Sequence, residues 1–268
     1  MTKHIICYSG GHSSALVAVE VVRRFGKDNV VLVNHDIHHS VEAADIKRFK
    51  SEVASYLGLP ITFVNHPDVA TKDQFDIVID AKAFKVRNGP ILCTSRLKTE
   101  PFHKWLATEA VKGVDILYYG FDANEGLRIQ RRVGVLSEMG YRSEYPLAHW
   151  VRTIHSTTEI GILPPNTYGS FKHANCTGCL KAGKQHWYIV YCTRKDLWEK
   201  AKLAEQIIGY TILKEGPLED LEGDFAKMVC LGITTTEHED GRTFFARVRK
   251  EFRDIEAEED SKPCECTF

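Results

Sequence analysis

"IICYSGGHSSALVAVEVVRRF", residues 5–25, begins apolar and β-branched, breaks at two glycines, and resumes with apolar residues at spacings of three and four. A short continuous apolar run followed by the 3.6-residue period marks a buried strand that passes directly into an amphipathic helix. Gly10 and Gly11 let the backbone turn tightly and come close to a ligand. The free N–H groups of the first helical turn, reinforced by the helix dipole, then favour a phosphate or another anion. Ser9, Ser13 and Ser14 add hydroxyl donors around His12. The turn is not a Walker A loop, because the Gly-Lys-Ser/Thr ending is missing, nor a G-x-G-x-x-G dinucleotide turn.

The alternation continues outward. Residues 30–34, 61–65 and 116–119 join 5–8 as short buried strands, while 14–25, 41–57 and 100–112 carry helical spacing. Strand and helix in turn imply an α/β fold: a doubly wound, mostly parallel sheet with helices on both faces. The pattern weakens after about residue 140, and 195–208 reads as helix again. A boundary is placed near residue 190, with 1–190 as the catalytic domain and 191–268 as a smaller helical or mixed extension. The closing stretch "RKEFRDIEAEEDSKPCECTF" (249–268) is charged and expected to be mobile.

With 268 residues, 43% of them hydrophobic, the chain can bury one sizeable core. Its formal charge of -1 gives no general pull toward polyanions, so a nucleic-acid contact would need a local patch. No run approaches the roughly 20 apolar residues of a membrane span, and the N-terminus lacks the order of a signal peptide. A cytoplasmic protein without a membrane partner is expected. Eight cysteines in such a chain suit metal ligands, reactive thiols or buried small residues better than a disulfide frame.

The cysteines form the sharpest constellation. Cys176 and Cys179 in "NCTGC" (175–179) have the two-residue spacing that points both thiolates at one metal or cluster, with Gly178 relieving the turn. Cys93 lies upstream in "LCTSRLKTEPFHKWL" (92–106). Arg96, Lys98, Arg128, Arg131 and Arg132 are candidate anion partners, since guanidinium groups fork onto phosphate oxygens. "VNHDIHHS" (33–40) ends the second strand, where open parallel sheets place ligands. Asn34, His35 and Asp36 are therefore either contacts to a bound ligand or a metal, or polar loop residues. Trp150, Trp187 and Tyr188 read as base-stacking groups or, by default, core aromatics. Lys181, Lys184 and His186 read as a basic patch for an anionic or nucleic-acid substrate, or as a solvated face.

The first turn resembles the S-G-G-x-x-S pyrophosphate loop of the PP-loop adenine-nucleotide enzymes. Later blocks are similar, in order, to those of the phosphoadenosine phosphosulfate reductase family. "LCTSRLKTEPFHKWL" resembles its C-x-x-x-x-K-x-x-P-L/F segment, and "YYGFDANEGLRIQRR" (118–132), which includes Gly120, its G-x-R-x-x-E-S-x-x-R block. "YPLAHW" and "GILPPNTYG" resemble the stretches before its C-x-x-C element. Together these cover about residues 5–190. The resemblance implies an adenylyl nucleotide, phosphoadenosine phosphosulfate or ATP, held on Ser9–Ser14, and a 4Fe-4S cluster on Cys93, Cys176 and Cys179. Structural zinc held by these cysteines and His173 is the competing metal reading.

The departures are specific. Ser13 stands where many ATP-splitting members have Asp, which counts against magnesium-assisted ATP cleavage. Leu92 breaks the tandem Cys-Cys of the iron-sulfur subgroup, so a fourth ligand would come from His173, Cys192 or the tail, or an iron would stay open to bind sulfide. Asp122 occupies a position where the family has Arg, whereas Glu125 matches and would orient an arginine or a ribose hydroxyl. The tail "PCECTF" has a faint likeness to a mobile Glu-Cys-Gly-Leu-His, making Cys266, with Cys93 beside the site, the thiol expected to react; Cys264 is a further candidate for sulfur relay.

Three functions are implied. The leading one is sulfonucleotide reduction with thioredoxin or glutaredoxin as partner. The second is ATP-dependent sulfur transfer to a nucleic acid or nucleotide. The third is a non-catalytic nucleotide-binding protein with structural zinc. A homodimer is compatible with all three.

Overall fold

The computed structural model describes residues 1–85, 89–174 and 176–260, the last six by backbone alone. Strands β1 (His4–Cys7), β2 (Val30–Asn34), β3 (Ile61–Phe63), β4 (Ile116–Tyr118) and β5 (Arg142–Glu144) pair in the order β3-β2-β1-β4-β5, all parallel. The helices are α1 (His12–Phe25), α2 (Ala44–Leu57), α3 (Gln74–Asp80), α4 (Leu92–Thr94), α5 (Glu100–Glu109), α6 (Gly126–Glu138), α7 (Pro146–His149), α8 (Lys184–Thr193), α9 (Lys195–Ile208), α10 (Glu222–Cys230) and α11 (Gly241–Asp260). This is the doubly wound α/β architecture that the strand and helix alternation implies.

Successive side chains of a strand point to opposite faces. Ile6 and Tyr8 of the first strand and turn therefore pack with α1 and α2, whereas Ile5 and Cys7 pack with α5 and α6 on the other face. A third core joins α3 and α4 to α8, α9, α10 and α11 around the fully buried Trp187 and Trp198. Residue 190 thus falls inside α8, whose Trp187, Tyr188 and Val190 share an interior with Phe75 of α3 and Leu92 of α4. Residues 249–260, expected to be mobile, are the last turns of α11. Among the described residues no helix is long and apolar enough to cross a membrane.

Two features position the site. The sheet winds outward from β1 to β3 in one direction and from β4 to β5 in the other. The reversal, where open α/β sheets take their ligands, lies between the carboxyl ends of β1 and β4. Secondly, α4 and α5 nearly form one helix, but Pro101 has no N–H for the Leu97 carbonyl and its ring crowds that oxygen. The winding between them widens into a π turn over Ser95–Thr99, which carries Lys98.

Candidate functional site

The turn after β1 is built around one left-handed glycine. Gly10 has φ +84°, and a Cβ there would stand 2.6 Å from Cδ of Lys50. From the other side, Gly120, just past β4, brings its backbone against the first turn of α1, where a Cβ would lie 2.9 Å from the Ser13 carbonyl carbon. Ser14 Oγ donates to the Gly11 carbonyl at 2.8 Å and accepts from Ser9 Oγ at 3.2 Å, so these two hydroxyls brace the turn internally. Ser13 is exposed. Among the described residues none accepts from the amides of Gly11, Ser13 or Ser14. The His12 amide, however, donates to the Tyr168 hydroxyl at 2.9 Å. The His12 ring turns away and its Nε2 accepts from the Thr157 amide at 3.2 Å; burial holds it below the ordinary histidine value.

Beneath the turn lies a buried polar floor. Lys50, 2% exposed, donates to both carboxylate oxygens of Glu42 at 2.8 and 2.9 Å and to Asn34 Oδ1 at 3.2 Å. Asn34 also donates to the Tyr8 carbonyl, so its amide is committed to holding β1 and β2 together. His35 bonds the Val64 carbonyl at 2.5 Å; burial, aided by Lys98 and Lys50, pushes it down to about 4. Asp36 is exposed and pairs with Lys47 at 2.6 Å.

The three cysteines assemble beside this floor. Burial pushes Cys93 up to about 11, and the neighbouring Cys176 and Cys179 push in the same direction. Burial likewise raises Cys176, against the pull of Lys98. Lys98 is itself raised, first by Cys176 and then, against its own burial, by Cys179, Cys93 and Glu42. Three thiols and the partly buried Lys98 ammonium therefore occupy one neighbourhood. Ala174, two residues before Cys176, has its Cβ 3.6 Å from where a Cβ on Gly11 would stand, which places the C-x-x-C approach against the anion turn.

The C-x-x-C turn is clamped by residues that the spacing alone does not reveal. Gly178 has φ +72° and faces the Phe75 ring. His186 Nε2 accepts from the amides of Gly178 and Cys179 at 3.1 and 3.3 Å. Gln74 Nε2 donates to the carbonyls of Thr177 and Gly178 at 2.9 and 3.2 Å, and the Thr177 amide donates to the Val41 carbonyl at 2.8 Å. His186, 4% exposed, is thus a buried acceptor; Lys181 is exposed, and Lys184 lies over the Phe225 and Phe245 rings. The three do not form one basic patch.

The arginines of α6 also separate. Arg128 pairs with Glu125 and lies 4.4 Å from the Phe121 ring centroid; Arg132 lies 5.2 Å from that of Tyr119; Arg131 is exposed. Asp122 pairs with Arg152 at 2.7 Å. Trp150 meets Phe25 and Tyr118 edge to face with Arg24 over its ring, while Trp187 and Tyr188 are core.

For a metal or cluster, the donor types fit thiolate ligation: three neighbouring cysteine thiols with the Lys98 ammonium to offset their charge. His173 is exposed and acts on Glu237. Among the described residues no three His, Cys, Asp or Glu side chains converge as closely as a bound metal requires. Cys264 and Cys266 lie outside the described residues. No family model matches the chain, and no curated protein matches it either.

Proposed function

We propose that the chain is a phosphoadenosine phosphosulfate reductase-like enzyme of the cytoplasm. It binds an adenylyl nucleotide with its phosphates on the amides of residues 10–14 and performs sulfur chemistry beside Cys93, Cys176 and Cys179. One observation supports this reading: a turn with free amides at the reversal point of one parallel sheet lies against the approach to a C-x-x-C whose thiols share a neighbourhood with Cys93 and Lys98.

In the reductive reaction a cysteine thiolate attacks the sulfonate sulfur. An S–S bond forms, the S–O bond to the nucleotide phosphate breaks, and the phosphate leaves with the electron pair. A dithiol protein of the thioredoxin or glutaredoxin class then reduces the resulting thiosulfonate, releasing sulfite and restoring the thiol. The turn's amides offset charge on the departing phosphate. Thiolate ligands, with Lys98 beside them to offset their charge, would hold a 4Fe-4S cluster or zinc, which would tie the C-x-x-C turn to Cys93. Cys93, as a free thiol raised to about 11, is a weak nucleophile at neutral pH and suits a ligand role. Cys266 is the proposed attacking thiol.

ATP-dependent sulfur transfer is the second reading, favoured by three thiols where a tandem cysteine is replaced by Leu92. Anaerobically purified protein separates the two. Release of sulfite from phosphoadenosine phosphosulfate and a dithiol, lost in Cys176→Ser, supports reduction. Release of AMP and pyrophosphate from ATP supports transfer. Turnover of neither nucleotide overturns both.

A further inference from the structure

Glu237 lies on the loop between α10 and α11, far in sequence from both halves of the site, yet its bonds reach each of them. Its Oε1 bonds Nδ1 of His186 at 2.7 Å, and its Oε2 accepts from the Lys172 amide at 3.0 Å. Its own amide donates to the Ser170 carbonyl at 2.7 Å. The next residue, His238, bonds the Tyr168 carbonyl through Nε2 at 2.6 Å. Toward the thiols, His186 Nε2 takes the amides of Gly178 and Cys179; toward the anion turn, the Tyr168 hydroxyl takes the amide of His12.

The chemistry of His186 fixes the direction of this relay. A ring nitrogen that accepts two amide hydrogens carries no proton, so the proton of the neutral ring sits on Nδ1 and is donated to Glu237. A carboxylate has an acceptor oxygen for each of its two donors, His186 and Lys172; a carboxamide has one. We propose that Glu237 is a positioning residue that sets the His186 tautomer, and through it the C-x-x-C turn, while holding the segment whose Tyr168 closes the anion turn. It thereby couples the two halves of the site. This rests on the turn and the thiols being the working parts, as proposed above.

The isosteric Glu237→Gln tests it in three ligand-free readouts: the ¹⁵N signature of the His186 ring, the alkylation rate of Cys179 by iodoacetamide relative to exposed Cys192, and hydrogen exchange at residues 12–14. The wild type is expected to show a protonated Nδ1. In Glu237→Gln the tautomer becomes mixed, and both alkylation and exchange rise about fivefold or more, the loss of one hydrogen bond. Surface His238→Ala, which cuts only the Tyr168 tie, speeds exchange at His12 and leaves the tautomer and Cys179 unchanged. If Glu237→Gln loosens only one end, or if the wild-type ring carries its proton on Nε2, the coupling is wrong. Inorganic pyrophosphate separates the premises: it is expected to change Cys179 alkylation in the wild type and not in Glu237→Gln. Failure of pyrophosphate to bind the wild type counts against the anion turn alone, because the ligand-free readouts still decide the role of Glu237.

Discussion

The hydroxyl of Tyr168 stands 2.9 Å from the amide nitrogen of His12 and accepts its hydrogen, occupying the place that an anion oxygen would take on the turn. Burial raises the phenol, so it stays neutral there. Tyr168→Phe keeps the ring and removes the competing oxygen, and pyrophosphate is expected to bind about fivefold tighter, the worth of one hydrogen bond. Titration calorimetry on both proteins checks this; equal or weaker binding would show that the phenol helps the anion instead of competing with it.

Cys93 and Cys176 are raised because burial and the charges of neighbouring thiols disfavour thiolate, with Lys98 opposing. In metal-free protein, alkylation of Cys93 is expected to be slow at neutral pH and to climb about tenfold per pH unit toward a plateau near 11. Lys98→Met removes the stabilising cation, so Cys176 and Cys93 should alkylate more slowly at a given pH. Mass-spectrometric rates across pH decide, and an early plateau below 9 in the wild type would contradict the burial described.

Lys50 and Glu42 form a buried pair, each under a tenth exposed. Lys50→Met leaves the buried Glu42 with only the longer contact to Lys47 at 3.7 Å and is expected to cost about 3 kcal/mol. Adding Glu42→Leu should recover a good part of that loss. Urea unfolding of the single and double variants gives the comparison; additive losses would mean the two side chains do not depend on one another.

His35 is held neutral by burial, with a folded pKa of about 4 against the ordinary 6.5. The unfolded chain binds a proton in that window that the folded chain refuses. Stability is therefore complete above pH 6.5 and declines as pH falls toward 4, by up to about 3 kcal/mol from this residue. Melting temperatures of the wild type and His35→Gln, recorded from pH 7 to 4, should converge toward the acid end. Parallel curves would remove His35 from the account.

The start of the fold was legible because Ile5, Ile6 and the apolar face of α1 follow two clean periods across a glycine break. β5 was not, since Arg142, Ser143 and Glu144 form a three-residue edge strand without an apolar run. The C-x-x-C spacing and Cys93 stood out by residue type alone. Their clamp did not, because Gln74, His186 and Glu237 are ordinary polar residues whose meaning comes only from partners distant in sequence. Arg128, Arg131 and Arg132 read as one anion cluster from their closeness, whereas aromatic faces and Glu125 claim two of them. Asn34 lies at the sheet edge as placed from the sequence, but its amide is spent on Tyr8 and Lys50.

The interior shared by α3, α4 and the carboxyl-terminal helices bears on how this protein can be divided. Trp187 and Trp198 close the same apolar compartment against which Cys93 and Cys176 are seated. A fragment ending before Lys184 would strip the roof from the thiol chamber and bare the inner walls of Phe75, Leu92 and Leu97 to water. The carboxyl-terminal helices and the sheet-bearing part are for that reason bound by one interior, and excising residues 184–268 would expose it.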